Sequence, residues 1–310
     1  MKKSLFPLIV ILLLTTSCAD KPQCNGEVVC RLEIFDIESG RRTIIAEFDH
    51  IIEAPNWSCD GKHIYYNSDG LLWSISPNGR KAPQCMDTGI LKHCNNDHCL
   101  SFDGQHIGIS SGTADDWRSK IWILPLQGGE PHLITPNGPS YLHGWSPDGH
   151  SLVYCAERNG EFDVYAISTE GGMEQRLTDA PGLDDGPEFT PDGEYIWFNS
   201  VRTGLMQLWR MKADGSQQEQ MTKDEGRNAW FAHISPDGKY VVYLAYKKGD
   251  LLPGEHLPGK HVELLMMPSS GGTPKVLTTL YGGQGTINVN SWAPDSRRFA
   301  FVSYVEKTAE

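Results

Sequence analysis

Three histidines, His98, His143 and His233, carry most of the chemistry that this chain offers. Each stands four or five positions before an aspartate of a short turn sequence, Asp103, Asp148 and Asp237. An imidazole changes charge near neutral pH and is a common metal ligand. Three of them from separate parts of the chain could hold a divalent metal, or one could act as general acid or base. Seven positions before the same kind of aspartate stand Glu53, Asn96, Tyr141, Asp185, Trp230 and Asn288, and five before the last one stands Asn290. Tyr141, Trp230 and Trp117 could stack on sugar rings or other flat apolar faces, with Asn and Asp supplying hydrogen bonds. Asp184 and Asp185 are neighbours on an extended segment. Their side chains therefore point to opposite faces, which argues against a shared-proton pair.

What must bring these residues together is a repeat. WSCDGKHIYY, LSFDGQHIGI, WSPDGHSLVY, FTPDGEYIWF, ISPDGKYVVY and WAPDSRRFAF are one pattern, with aspartates at 60, 103, 148, 192, 237 and 295. The intervals are 43 to 45 residues, except the last, which is 58. A period near 45 with short alternating strands predicts an all-β propeller, one four-stranded blade per repeat, and six repeats predict six blades. In each turn the proline presets φ, the aspartate accepts backbone hydrogen bonds, and the glycine takes a conformation that other residues avoid. These aspartates are read as structural. Cys59 and Phe102 replace the proline in the first two units, and Ser296 replaces the glycine in the last.

Five units are followed by a second strand pair, such as DVYAIS and EQRLT. The last unit, ending FAFVSYV, has none, whereas Arg31 to Phe48 has the form of half a blade and precedes the first unit. The ring is expected to close by joining the N-terminal strands to the C-terminal blade, which leaves no open gap. On one face the turns are short and uniform. The other face carries the long connections, among them LKHCNNDHC, PNGPSYLHG, APGLDDGPE and the insertion from Tyr246 to His261. Variable loops on a rigid scaffold carry binding, so the site is expected on this second face, where the innermost strands begin near the axis.

On these units the chain resembles the TolB-like six-bladed propellers over residues 28 to 306. The resemblance implies the fold and spans several activities, including oligogalacturonate lyases, which place histidines and a glutamine around a metal. The corresponding glutamine here is Gln284, followed by Asn288 and Asn290 where histidines would be expected. Two functions are therefore compared. The first is an interaction module that holds a glycan, a peptide or an envelope protein; the second is a carbohydrate-active enzyme with a histidine-lined, metal-binding funnel. No GxSxG or HExxH motif is present, and GEHLPGKH lacks the Ser or Thr and the strand-to-helix context of a phosphate loop.

The ends suggest where the protein works. Residues 1 to 17 have two lysines, an apolar run from Leu5 to Leu14 and small residues before Cys18, the pattern of an export signal. Cys18 is the expected lipidation site, residues 18–27 a tether, and residues 28–310 a single propeller domain held to a membrane by lipid alone. The expected location is the bacterial cell envelope, in the periplasm or anchored to the outer membrane. With 39 acidic residues against 27 basic ones, the chain repels phosphate backbones, so nucleic acid is excluded as a partner. Cys94 and Cys99 could close a small disulfide loop or remain thiols, and Cys155 lies within an apolar strand.

Overall fold

The computed structural model describes residues 28–306. The export signal, Cys18 and the tether lie outside the described residues. Within them the chain forms six antiparallel blades. The first blade runs Glu53–Trp57, Ile64–Ser68, Leu71–Ile75 and Gln84–Cys85, and the next three repeat this order with first strands His93–Leu100, Ser140–Trp145 and Asp184–Phe189. The fifth blade starts at Arg227–Ile234 and has much longer outer strands, Pro258–Pro268 and Lys275–Gly283. First strands of successive blades touch one another, so they line the axis.

The sixth blade joins the two ends. Arg298–Glu306 pairs along its whole length with Val28–Asp36, from Val28 opposite Glu306 to Asp36 opposite Arg298, and Arg41–Phe48 adds the outer strand. Its innermost segment is held by a bridge between Trp292 and Phe299. Closure by the N-terminal strands is therefore as expected.

The turn chemistry is equally regular. Asp148 Oδ1 accepts from the Ser146 hydroxyl and the His150 amide at 3.0 Å, and Asp60, Asp103, Asp192 and Asp237 make the same two bonds. Each of these five carboxyls is held below the ordinary carboxylate range. Ser296, standing where the other turns have glycine, adopts the same left-handed conformation at φ 55°. The apolar residue three before the aspartate fills the space between blades. Trp145 Nε1 donates to the Cys99 carbonyl of the preceding blade at 2.9 Å, and Trp292 Nε1 to that of His233 at 3.0 Å. The core is a ring of interblade clusters, each buried large side chain contributing about 1.5–3 kcal/mol.

One irregularity positions the site. The first strand of each of the first five blades carries a register shift, between Glu53 and Asn56, Cys94 and His98, Leu142 and Gly144, Asp185 and Glu188, and Trp230 and His233. Such bulges add an unpaired residue and re-aim the side chains around it. Ala54, Gly186 and Phe231 take left-handed φ values of 54°, 61° and 57° at these points. The strict alternation used to assign faces from sequence therefore fails where the strands begin.

Candidate functional site

At the axial mouth on the long-loop face, the bulged strands bring together Asp97, His143 and Asp185 from blades two, three and four. His143 Nε2 lies 3.2 Å from Asp185 Oδ1, and the Gly186 amide donates to the same carboxylate at 2.7 Å. The His143 ring lies nearly parallel to Phe231, with centroids 6.0 Å apart. From the insertion, His256 reaches towards the other oxygen of Asp185 at 3.8 Å, lying 4.4 Å from the Trp230 ring and edge-on to Phe231 at 5.3 Å. Asp97 and Asp185 are each 7% exposed and His143 6%. This is a buried ionic cluster.

Its electrostatics follow from burial and pairing. Burial opposes charge on His143, but the bond to Asp185 and the charges of Asp185 and Asp97 outweigh it and raise its pKa. Burial also opposes charge on Asp185, and the bond from His143 with the pull of His256 and the Gly186 amide reverses the direction and lowers it. Asp97 has no such compensation. Burial pushes it up to about 7 against the partial pull of His143, with Asp185 and Glu53 adding like charge and Asn288 a weak opposing hydrogen bond. Burial and then Asp97 push Tyr141, half-buried beside the cluster, up to about 12. The cluster thus holds one internal ion pair and one carboxyl that exchanges its proton near neutrality.

The expected residues divide into two sets. Tyr141, His143, Asp185, Trp230 and Asn288 gather here, although Trp230 is fully buried and forms floor rather than rim. Asn96 is buried on the same strand as Asp97. His233 and Asn290 belong elsewhere. His233 Nδ1 meets Glu188 at 2.7 Å and its Nε2 the Ile287 carbonyl, while Asn290 Nδ2 donates to Glu188 at 2.7 Å and to the Ile234 carbonyl at 2.9 Å. This network stitches three blades together. Gln284 stands apart from both sets, its amide donating to the Leu257 carbonyl at 3.3 Å and its carbonyl accepting from the Tyr304 hydroxyl at 3.4 Å.

The three-histidine metal set is not assembled. His233 has both ring nitrogens engaged, and His98 is fully buried, with burial driving its pKa down to about 4. Among the described residues, no group of three or more His, Cys, Asp or Glu is placed to hold a metal ion. Asp184 turns away from Asp185 as expected, binding Arg202 Nη2 at 2.6 Å. Trp117 is 71% exposed and lies against His93 at 4.3 Å, in a separate loop. Cys94 and Cys99 are both buried free thiols, as is Cys155, whose Sγ donates to the Asp184 carbonyl at 3.4 Å.

The sequence of the TolB β-propeller domain, as a family profile, matches residues 98–276. An uncharacterised protein of Agrobacterium fabrum is 43% identical over 280 residues, covering 90% of this chain and 94% of that one. The chain belongs to the TolB β-propeller family. A solved structure from Agrobacterium tumefaciens, described as a TolB candidate, superposes with a TM-score of 0.86 at 43% identity, over 90% of this chain and 99% of the other. The Tol-Pal system protein TolB of Francisella tularensis is 25% identical over 210 residues, which is 66% of this chain and 48% of that protein. This chain therefore spans about half the length of that relative. A TolB-type propeller is in general terms an interaction module, and at its axial mouth this one buries Asp97, His143 and Asp185 together.

Sequence reasoning missed Asp97, Phe231 and His256 as site residues. Asp97 stands six positions before its turn aspartate, and Phe231 likewise, a place that alternation assigns to the opposite face; the bulges reverse it. His256 lies in the insertion, outside the register of the repeat. The one available signal was the interval of 58 residues that contains it.

Proposed function

We propose that the protein is an interaction module of the bacterial cell envelope, held to a membrane by lipid at Cys18, which binds a peptide segment of an envelope protein at its axial mouth. The observation that supports this reading most is the cluster of Asp97, His143 and Asp185, contributed by the first strands of three blades where those strands line the axis. Each charged group there is withdrawn from water, and a partner that completes the pairing gains more than it would on the open surface. Tyr141 and Phe162, with ring centroids 6.4 Å apart, add an aromatic wall. A glycan fits the aromatic wall but makes less use of the buried charges.

The test starts from the mature protein immobilised and exposed to an envelope extract of its own bacterium, with the captured partner then titrated in solution. Tyr141→Ala is expected to weaken that affinity about tenfold or more, in the manner of an interface tyrosine, with the melting temperature little changed. Asp148→Ala, in a turn on the opposite face, is expected to lower stability by about 1 kcal/mol and leave affinity intact. The reverse pattern, binding lost in Asp148→Ala and kept in Tyr141→Ala, would place the interface on the wrong face.

One observation favours the enzymatic alternative, a carbohydrate-active protein. Asp97, titrating at about 7 beside His143, is a carboxyl that can take up or release a proton at working pH. Incubation of the pure protein with polygalacturonate and manganese, followed by assay for unsaturated sugars, decides it. No product would remove this reading.

A further inference from the structure

Residues 248–257, between the strands Tyr240–Lys247 and Pro258–Pro268, arch from the two middle strands of blade five to the axial cluster. Few bonds hold this segment to the blades. The Lys248 amide donates to the Gly226 carbonyl at 2.8 Å, and the Leu257 carbonyl accepts from the Tyr246 hydroxyl at 2.9 Å and the Gln284 amide at 3.3 Å. Leu251 packs against the blade-five core, while Leu252 is 69% exposed. Between these feet the segment closes on itself, the Leu252 amide donating to Glu255 Oε2 at 3.0 Å and the Glu255 amide to the Leu252 carbonyl at 2.9 Å. Its connection with the cluster is His256.

We propose that this segment is a strap over the axial cluster, shut while His256 is neutral and released when His256 takes up a proton, so that mild acid bares Asp185 and Trp230. The inference rests on the reading of that cluster as the partner's seat, whose regulation it describes. The argument is about what His256 meets when shut. Blade four presents Asp185 at 3.8 Å, too far for a hydrogen bond, and blade three presents His143, already paired with the same carboxylate. Blade five presents only the uncharged rings of Trp230 and Phe231. Asp97 acts on His143 from blade two, and Glu53 of blade one lies against Gly285, next to the Gln284 whose amide holds the strap's foot at Leu257. On the strap itself, Glu255 is turned back to the Leu252 amide; Asp250, Lys247 and Lys248 stand at one foot and Lys260 and His261 at the other.

A protonated His256 would thus lose its hydration, face an aspartate whose charge His143 already meets, and be repelled by His143. The Trp230 face returns part of that cost by cation–π attraction. Burial is the larger effect, and it lowers the His256 pKa from the ordinary 6.5, with Asp185 opposing and His143 assisting. The buried Nδ1 of His256 also has no hydrogen-bond partner among the described residues. Because the shut form has the lower pKa, shutting is fully favoured above the pKa of the free imidazole. That preference is lost as pH falls below it.

Hydrogen exchange of the strap, followed by mass spectrometry on the full mature chain without partner and corrected for intrinsic rates, tests this. In the wild type, protection over 248–257 is expected to fall by about tenfold or more between about pH 8 and about pH 5, with protection of Tyr195–Ser200 unchanged. His256→Phe and His256→Gln are both expected to abolish the dependence. The Gln variant serves if Phe does not fold. A wild-type strap indifferent to pH, or a variant with the same fall as the wild type, overturns the proposal. Since no partner is present, a failure of the interaction reading leaves this result standing, and a failed strap leaves that reading untouched.

Discussion

At the scale of single residues, Asp97 and Asp185 are the same side chain given opposite fates by their neighbours. Asp185 has His143 at 3.2 Å and the Gly186 amide, and its charge is held; Asp97 has burial as its largest influence, and its pKa stands at about 7. The sign of the consequence is definite. A carboxyl whose folded pKa is raised keeps a proton that the unfolded chain releases, so its contribution favours folding at low pH and is lost as pH rises from the ordinary 3.8 through about 7. Asp97→Asn is therefore expected to melt above the wild type at about pH 8, with the difference vanishing near pH 4, as calorimetry across that range would record. Melting below the wild type at both pH values would mean that charged Asp97 supports His143 more than its burial costs. His143 itself, expected from sequence to be a metal ligand or an acid–base group, is a buried half of an ion pair. Its truncation would strand Asp185 at a cost of about 3–5 kcal/mol, which makes Tyr141 the better residue for binding tests.

At the scale of elements, the bulge of the first strand decides which residues reach the mouth. Gly186 takes φ +61° there, and a Cβ added to it would come within 2.6 Å of Asn199 Oδ1, the acceptor of the Phe231 amide. Gly186→Ala is expected to cost about 2 kcal/mol, from left-handed strain plus a displaced hydrogen bond, and to weaken partner binding through Phe231 and the His143 ring beside it. Gly149 is the control. Its φ is +76° but nothing lies within 4 Å, so Gly149→Ala is expected to cost about 1 kcal/mol and spare binding. Equal losses in the two variants, by denaturant titration and by affinity, would argue that the bulge has no special part in the site. The bulge was not legible beforehand. The run Asn95 to His98 is polar throughout and marks no break in the strand, and neither Ala54 nor Phe231 has the residue type that announces a left-handed backbone.

At the scale of the whole molecule, the ring is held shut by strands from the two ends of the chain. Removing residues 28–48 would strip Arg298–Glu306 of the strand paired along its length and expose its edge, and is expected to abolish the single sharp unfolding transition in calorimetry. A deletion protein that still melts sharply would mean five and a half blades suffice. This closure could be read from sequence, because FAFVSYV lacked a following strand pair and Arg31 to Phe48 lacked a preceding one. So could the turn aspartates, since a motif of local hydrogen bonds needs only its own few residues. The site is different. His143, Tyr141 and Asp185 were in view as candidates because the repeat registers them, whereas the separation of His233 from His143 depends on Glu188 and Ile287, residues of other blades. The sequence by itself determined the elements, their number and the way they close, all of which rest on periodicity and local turn chemistry. Only the tertiary structure decided which side chains share the mouth, because bulges shift the facing of each strand and an insertion outside the repeat delivers His256.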